Sequence, residues 1–192
     1  MYSLYLPKEV TIDGKSYKLN SDFRVGIRLM QLFEDRRFSD DEKILIAIRV
    51  LFFDKIPKES IGEAAQKMVW FLDGGGEENG SKGSSSRRLY SWNQDLRFII
   101  SAVDKTIGFS TRGAEYLHWW DFLSAFSEIG DSSFSTIVSQ RQIKARGKQT
   151  DEDRQWWLEN IDIAELHIEH TDEEQQAIDK FNKLLKVGEQ NG

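Results

Sequence analysis

Apolar residues recur along most of this chain at the spacing of one helix face, and one stretch is apolar nearly all round. It runs Tyr116-Leu117-His118-Trp119-Trp120-Asp121-Phe122 and continues through Leu123, Ala125, Phe126 and Ile129. On a helix, Tyr116, Trp119, Trp120, Leu123 and Phe126 line one side, while Leu117, Phe122, Ala125 and Ile129 spread round the other. Such a helix belongs in the middle of a bundle, with Trp119, Trp120, Phe122, Leu123 and Phe126 as structural core. Each buried indole contributes several kcal/mol, at about 25 cal/mol per Å² over roughly 150–250 Å².

The remaining pattern predicts the elements around it. Val10 to Leu19 alternates on both sides of Asp13-Gly14, a dipeptide suited to positive φ, which reads as a β-hairpin. A lone hairpin is marginal in water, so Val10, Ile12, Tyr17 and Leu19 must pack on helices or on strands of another copy. Ser21 or Asp22 caps a first helix carrying Phe23, Ile27, Met30, Leu32 and Phe33, ending near Asp35. Ser39-Asp40-Asp41-Glu42 is a capping box followed by Ile44, Leu45, Ile48, Leu51 and Phe52. Pro57 opens a third segment with Ile61, Ala64, Ala65, Met68, Phe71 and Leu72 on one face and Trp70 off it. After a Gly/Ser-rich stretch, Ser91-Trp92-Asn93-Gln94 reads as a second capping box before Leu96, Ile99, Ile100, Val103 and Ile107, stopped by Gly108. The tryptophan helix is expected from about Arg112. Gly130 to Ser133 breaks and caps again, and Phe134, Ile137, Val138 and Arg141 give a sixth helix.

The fold class expected is therefore mainly α, a bundle of about six to eight helices with a small N-terminal β-hairpin. Its parts are 1–20 (hairpin), 21–73 (first helical part), 74–88 (a linker by composition), 89–148 (second helical part) and 149–192 (acidic helical segment). In the last part, the adjacent pair Trp156 and Trp157 either docks back on the bundle, the favoured reading, or serves as an exposed anchor for a partner. Thr171-Asp172-Glu173-Glu174 is a further capping box, leading into a narrow stripe of Ala177, Ile178, Phe181, Leu184 and Leu185 suited to helix pairing. Trp156, Trp157, Ile178, Phe181 and Leu185 are the candidate partner contacts.

Composition narrows the chemistry. The 192 residues are 39% hydrophobic and 30% charged, and no apolar run approaches the roughly 20 residues of a membrane span. No charged leader with an apolar core opens the chain, so a cytoplasmic location is expected. Zero cysteines exclude disulfides, thiolate metal sites and cysteine nucleophiles. A net charge of −6 argues against general nucleic-acid binding, the best basic candidates being Arg87-Arg88 and the run Arg141, Lys144, Arg146, Lys148. The glycines of 74–83 lack the Gly-Lys-Ser/Thr ending of a phosphate loop. His118 reads as an interior histidine satisfied by hydrogen bonding, since no nucleophile motif accompanies it and Asp121 stands three residues on. His167 and His170 have the spacing of zinc ligands on a helix but no evident third ligand. The residues thus point to no catalytic group, no cofactor and no metal, and to a protein that works by binding.

Several of these motifs together resemble a family of small bacteriophage proteins called gene product fifteen, encoded in the tail-morphogenesis region. The resemblance rests on Asp22-Phe23-Arg24-Val25 after the hairpin, Trp70-Phe71 before the glycines, Tyr90-Ser91-Trp92-Asn93-Gln94-Asp95, and above all Leu117-His118-Trp119-Trp120-Asp121-Phe122. Gly130, Phe134, Ile137 and Arg141 continue it, so that it covers about residues 8 to 146. The resemblance implies a tail-assembly chaperone that binds the tape-measure protein and helps recruit tail-tube subunits in the cytoplasm of a bacterial host, without nucleic acid or membrane. Self-association through the hairpin edges or the C-terminal stripe is a further expectation. The competing readings are a structural virion component, such as a neck or tail-tip protein, and a regulator that binds a host factor.

Overall fold

A computed structural model of the chain describes residues 5–76 and 89–167. Among these residues lie β1 (Glu9–Ile12) and β2 (Lys15–Lys18), followed by α1 (Phe23–Glu34), α2 (Asp40–Leu51) and α3 (Ile61–Leu72). Beyond the glycine-rich stretch come α4 (Leu96–Ile107), α5 (Trp119–Ser127), α6 (Ser133–Ala145), α7 (Asp151–Glu159) and the short α8 (Ile161–Ala164). The protein is mainly helical with one antiparallel hairpin. Residues 77–88 lie outside the described part, and with them most of the expected linker.

The hairpin turns where expected. Asp13 and Gly14 take φ of 46° and 75°, the paired positive values of a two-residue turn whose twist matches the strands. The register sets Val10 opposite Tyr17, and Val10, Ile12, Tyr17 and Leu19 are all buried. Their cover comes from the same chain: β1 packs on α3, and Leu19 forms a bridge with Phe52 at the end of α2.

Local capping chemistry sets most helix starts. The Asp22 carboxylate accepts from the Arg24 amide at 2.9 Å and begins α1, leaving Ser21 to bond the Tyr116 hydroxyl. Ser39 and Glu42 close the expected capping box on α2, and Ser132 with Ser135 closes one on α6. Thr150 and Asp153 close another on α7. Gly108 ends α4 in the left-handed conformation at φ 82°. Gly74 and Gly75, which read as linker, instead finish α3 at φ of 74° and 82°.

Two expected starts are corrected by tertiary contacts. Ser91 to Gln94 does not close a capping box. The Ser91 hydroxyl accepts from the Asn93 and Gln94 amides, but the carboxylate reaching back to the Ser91 N–H is that of Asp95, at 2.9 Å, and α4 begins at Leu96. The Gln94 side chain is spent on the C-terminal segment, donating to the carbonyl of Glu165 and accepting from the His167 amide. The tryptophan helix starts at Trp119, seven residues later than the Arg112 expected from periodicity. The backbone before it is drawn into a short pairing with the entry to α1: Phe23 N–H donates to the Leu117 carbonyl and Trp119 N–H to that of Ser21, each at 2.8 Å. Tyr116 and Leu117 therefore lie off the helix. Nor is α5 apolar all round, because Asp121, Ser124, Ser127 and Glu128 form an exposed face.

The core centres on Trp119. Its indole is fully buried, stacks on Phe122 with ring centroids 5.6 Å apart, and lies against the backbone of α1 at Gly26. A Cβ at Gly26 would stand 2.2 Å from the indole, so only glycine lets the two helices approach this closely. The indole N–H groups of Trp119 and Trp120 donate to the carbonyls of Leu72 and Phe71, at 3.1 and 2.8 Å. The Leu72 carbonyl, left over at the C-terminal end of α3, is thereby satisfied, and the Phe71 carbonyl, which also accepts from the Gly74 amide, gains a further donor. Phe122 is buried with Trp119, while Trp120, Leu123 and Phe126 are half-buried against the same core, and Trp70 meets Trp120 edge-on at 5.2 Å.

A second centre is polar. Arg141 on α6 is 4% exposed and meets the fully buried Asp95 through two hydrogen bonds of 2.6 and 3.0 Å. Its other donors reach the carbonyls of Leu89, Ile163 and Ala164. All five guanidinium N–H groups are thus used, joining the start of α4 to α6 and to the end of α8. Arg141 is therefore neither part of an apolar stripe nor available to a basic surface patch.

Two stability predictions follow from these contacts. Gly26→Ala should cost about 1–3 kcal/mol through overpacking, read as a lower Tm in a thermal melt, whereas Gly62→Ala, where a Cβ meets nothing within 4 Å, should not lower it. Arg141→Met should cost about 3–5 kcal/mol in urea unfolding by leaving the Asp95 carboxylate buried and unpaired. The double replacement Asp95→Leu with Arg141→Met should lose less than the sum of the two single changes.

Candidate partner-binding groove

A concavity lined largely by aliphatic and aromatic side chains is built from the C-terminal end of α2 and the chain that follows. The bridge between Leu19 and Phe52, together with bonds from the Asn20 amide to the Leu51 carbonyl and from the Phe53 amide to that of Lys18, ties residues 51–53 to the hairpin. Phe52 is thereby turned inward and Phe53 outward, where it is 68% exposed. The chain then crosses Ile56 and Pro57, makes a 3₁₀ turn at Lys58–Ser60 and enters α3. Between these segments lies a groove of about 410 Å³ lined by Leu45, Ile48, Phe52, Phe53, Ile56 and Ile61, with Arg49, Asp54 and Lys55 at its edge.

The groove combines apolar and charged side chains. Its floor is aliphatic and aromatic and its edge carries more positive than negative charge, the arrangement that receives the apolar face of an amphipathic helix. Leu45 follows the apolar stripe of α2 in the sequence but is 51% exposed, because Lys43, Ala47, Ile48 and Leu51 occupy the inner face. A second hollow, of about 230 Å³, is polar and lined by Arg28, Gln31, Leu32, Asp35, Arg37 and Asn93. There Arg37 holds the Asp35 carboxyl down to about 2 through side-chain and backbone hydrogen bonds.

The structure distributes the candidate residues unevenly. Trp157 is 8% exposed, docked beneath Lys144, whose ammonium sits 3.7 Å from the ring centroid. Trp156 is half-buried, and the large apolar residues offered to solvent beside the pair are Leu158 and Ile161. Of the pair, Trp157 thus packs against α6, while Trp156 stays half-buried. Ile178, Phe181 and Leu185 lie outside the described residues, as does His170. Among the described residues no three His, Cys, Asp or Glu side chains converge on a metal position, and no helix is long and apolar enough to cross a membrane.

His118 is 1% exposed and caps α5. Its Nδ1 accepts from the Trp120 amide at 3.0 Å, which leaves the proton on Nε2, donated to the Pro7 carbonyl at 2.9 Å. Both ring nitrogens are committed to backbone. Burial holds its pKa below the ordinary value near 6.5, outweighing the Pro7 carbonyl and Asp121, which favour the charged form; Lys8 adds to the lowering.

The sequence reading places Leu45 in the apolar stripe of α2 and does not single out Phe53, so neither is read as a site residue. The available signal was weak: Leu45 lies one position off the stripe of α2, and Phe53 is the second of two adjacent phenylalanines that an extended backbone sends to opposite sides.

A family model described as Bacteriophage Gp15 protein matches residues 4–166. The match takes in the hairpin, the groove, the tryptophan helix and both α7 and α8, and so runs beyond the motifs that carry the resemblance. No curated protein and no solved structure matches the chain.

The cap on α5 makes stability pH-dependent. The unfolded chain protonates its histidine near pH 6.5 while folded His118 stays neutral, so its contribution is complete above that pH and is lost as pH falls through the lowered folded value. A urea-unfolding series at decreasing pH should show this loss in the wild type. His118→Asn, which keeps a capping acceptor and does not titrate, should lose less stability over the same window.

Proposed function

The chain belongs to the Bacteriophage Gp15 protein family, and from that premise we propose that it is a tail-assembly chaperone which holds helical stretches of the tape-measure protein in the groove between α2 and α3. The observation that carries this reading is the exposure of Phe53 and Leu45 over an apolar floor. A long, apolar helical protein presents side chains at i, i+3, i+4 and i+7, the pattern such a groove accepts. The half-buried Trp156 with exposed Leu158 and Ile161 offers a second apolar contact on α7 and α8. The chaperone then acts by occupying apolar helix faces until tail-tube subunits, recruited to the same complex, enclose them. This chemistry requires fit and desolvation rather than a reactive group.

Co-expression with the tape-measure protein is expected to raise its soluble fraction and to yield a complex that co-purifies. Phe53→Asp should abolish co-purification without changing the thermal melt, because the side chain already faces solvent. An unchanged complex in that variant would overturn the assignment of the groove. Purified mature particles should lack the protein; finding it there by mass spectrometry would favour a structural component of the virion instead.

A further inference from the structure

Helix α2 is apolar on two sides. Ala47, Ile48 and Leu51 face the core, whereas Leu45 and Val50 are 51% and 39% exposed and Ile46 beside them is half-buried. A helix that only covers a core carries polar side chains on its outer face. We propose that this outer face is the contact with a second copy of the chain, α2 lying antiparallel on α2 about a two-fold axis at Leu45, so that Asp41 of each copy meets Arg49 of the other. The pairing does not rest on the chaperone reading, although Leu45 is common to both.

Charge selects both the occupant and its direction. The first turn of α2 carries Asp40, Asp41 and Glu42, and the last turn carries Arg49. Asp40 stands 3.7 Å from the Lys43 ammonium and Glu42 is bonded to Ser39 in the capping box. Asp41 and Arg49 are both exposed, and neither side chain has a partner among the described residues. Beyond the helix, Asp54 and Lys55 offset each other and leave Arg49 to set the sign of this end. Asp41, Leu45 and Arg49 follow one another at steps of four and so form a single ridge, acidic, then apolar, then basic. Such a ridge is complementary to its own reversed copy, the condition for a two-fold interface. A parallel pairing would set Asp41 against Asp41 and Arg49 against Arg49, and like charges facing one another exclude it.

Extent sets the strength. The 12 residues of α2 run about 18 Å at 1.5 Å per residue, and two such faces bury less than the roughly 1,200 Å² at which stable specific interfaces begin. The dimer is therefore reversible and forms as concentration rises. Phe53 adjoins Leu45 and Arg49 in the lining of the groove, so a copy seated on α2 covers apolar side chains that a captured helix would use. The two occupants exclude one another, and the dimer shields these side chains from water until a partner helix takes them.

Sedimentation velocity of the full chain at low salt should show monomer giving way to dimer as concentration rises from about 1 to about 200 μM. Leu45→Glu, at a side chain that already faces solvent, should hold the chain monomeric over that range with its thermal melt in dilute solution unchanged. Asp41→Arg alone and Arg49→Asp alone should each weaken the dimer at least about tenfold. An equal mixture of those two variants should restore it, because every facing pair is again of opposite sign, and so should both changes made in one chain. A wild-type chain that stays monomeric at about 200 μM would overturn the proposal. So would a mixture that fails to restore the dimer, or a dimer indifferent to all these changes, which would place the contact on another surface. If the wild type is monomeric while Phe53→Asp still abolishes tape-measure capture, the pairing fails and the chaperone reading stands; a dimer that obeys the charge exchange in a chain that captures nothing sinks the chaperone reading and keeps the pairing.

Discussion

The contact between the Trp119 indole and the bare backbone of Gly26 is the constraint from which the packing follows. An indole can lie on a helix axis only where no Cβ intervenes, and here the missing methyl lets α5 approach α1. That approach places the indole N–H groups of Trp119 and Trp120 over the end of α3, where they donate to the carbonyls of Leu72 and Phe71. One glycine thus fixes the relation of three helices. Glycine in a helix interior costs roughly 1 kcal/mol relative to alanine, which the burial of an entire indole offsets.

Arg141 organises the other half by a different logic. A buried ion pair is weak evidence of stability, since desolvation offsets much of its attraction. Its value here is geometric. A planar guanidinium with five fixed donors meets one carboxylate and three backbone carbonyls, and no other side chain satisfies that set. It specifies where the chain re-enters after the glycine-rich stretch and where α8 ends, and it gives the acidic C-terminal part an attachment that its few apolar residues would not supply. The Gln94 side chain adds a second attachment, at residues 165 and 167.

Neither of these two centres contributes a residue to the lining of the groove. The groove at the end of α2 owes its shape to the hairpin, which pins residues 51–53 by backbone bonds and forces Phe52 and Phe53 to opposite sides. Burying one ring and exposing its neighbour costs solubility unless the exposed ring is used. Phe53 and Leu45 are the exposed apolar residues of this groove that packing within the chain leaves unexplained, whereas His118 is accounted for by capping α5.

Much of this architecture was legible in the chain because its determinants are local. The Asp13-Gly14 turn, the Ser39-Glu42 box, the stop at Gly108 and the stripes of α4 and α6 each depend on residues within a few positions of one another, where steric preference and hydrogen-bonding reach are short-ranged. The family could be read for the same reason, from short motifs. What the sequence could not express is pairing across long separations. The start of α5 was misplaced because backbone at 21–23 competes for the amides and carbonyls of 117–119, and the box at Ser91 because Gln94 serves residues 165 and 167 instead. Arg141 reads as stripe or surface until Asp95 stands opposite it, and nothing local to Gly26 announces that the Trp119 indole lies upon it. Leu45 and Phe53 became a candidate site only once the hairpin had decided which ring faces water, since exposure belongs to the assembled surface and to no residue alone.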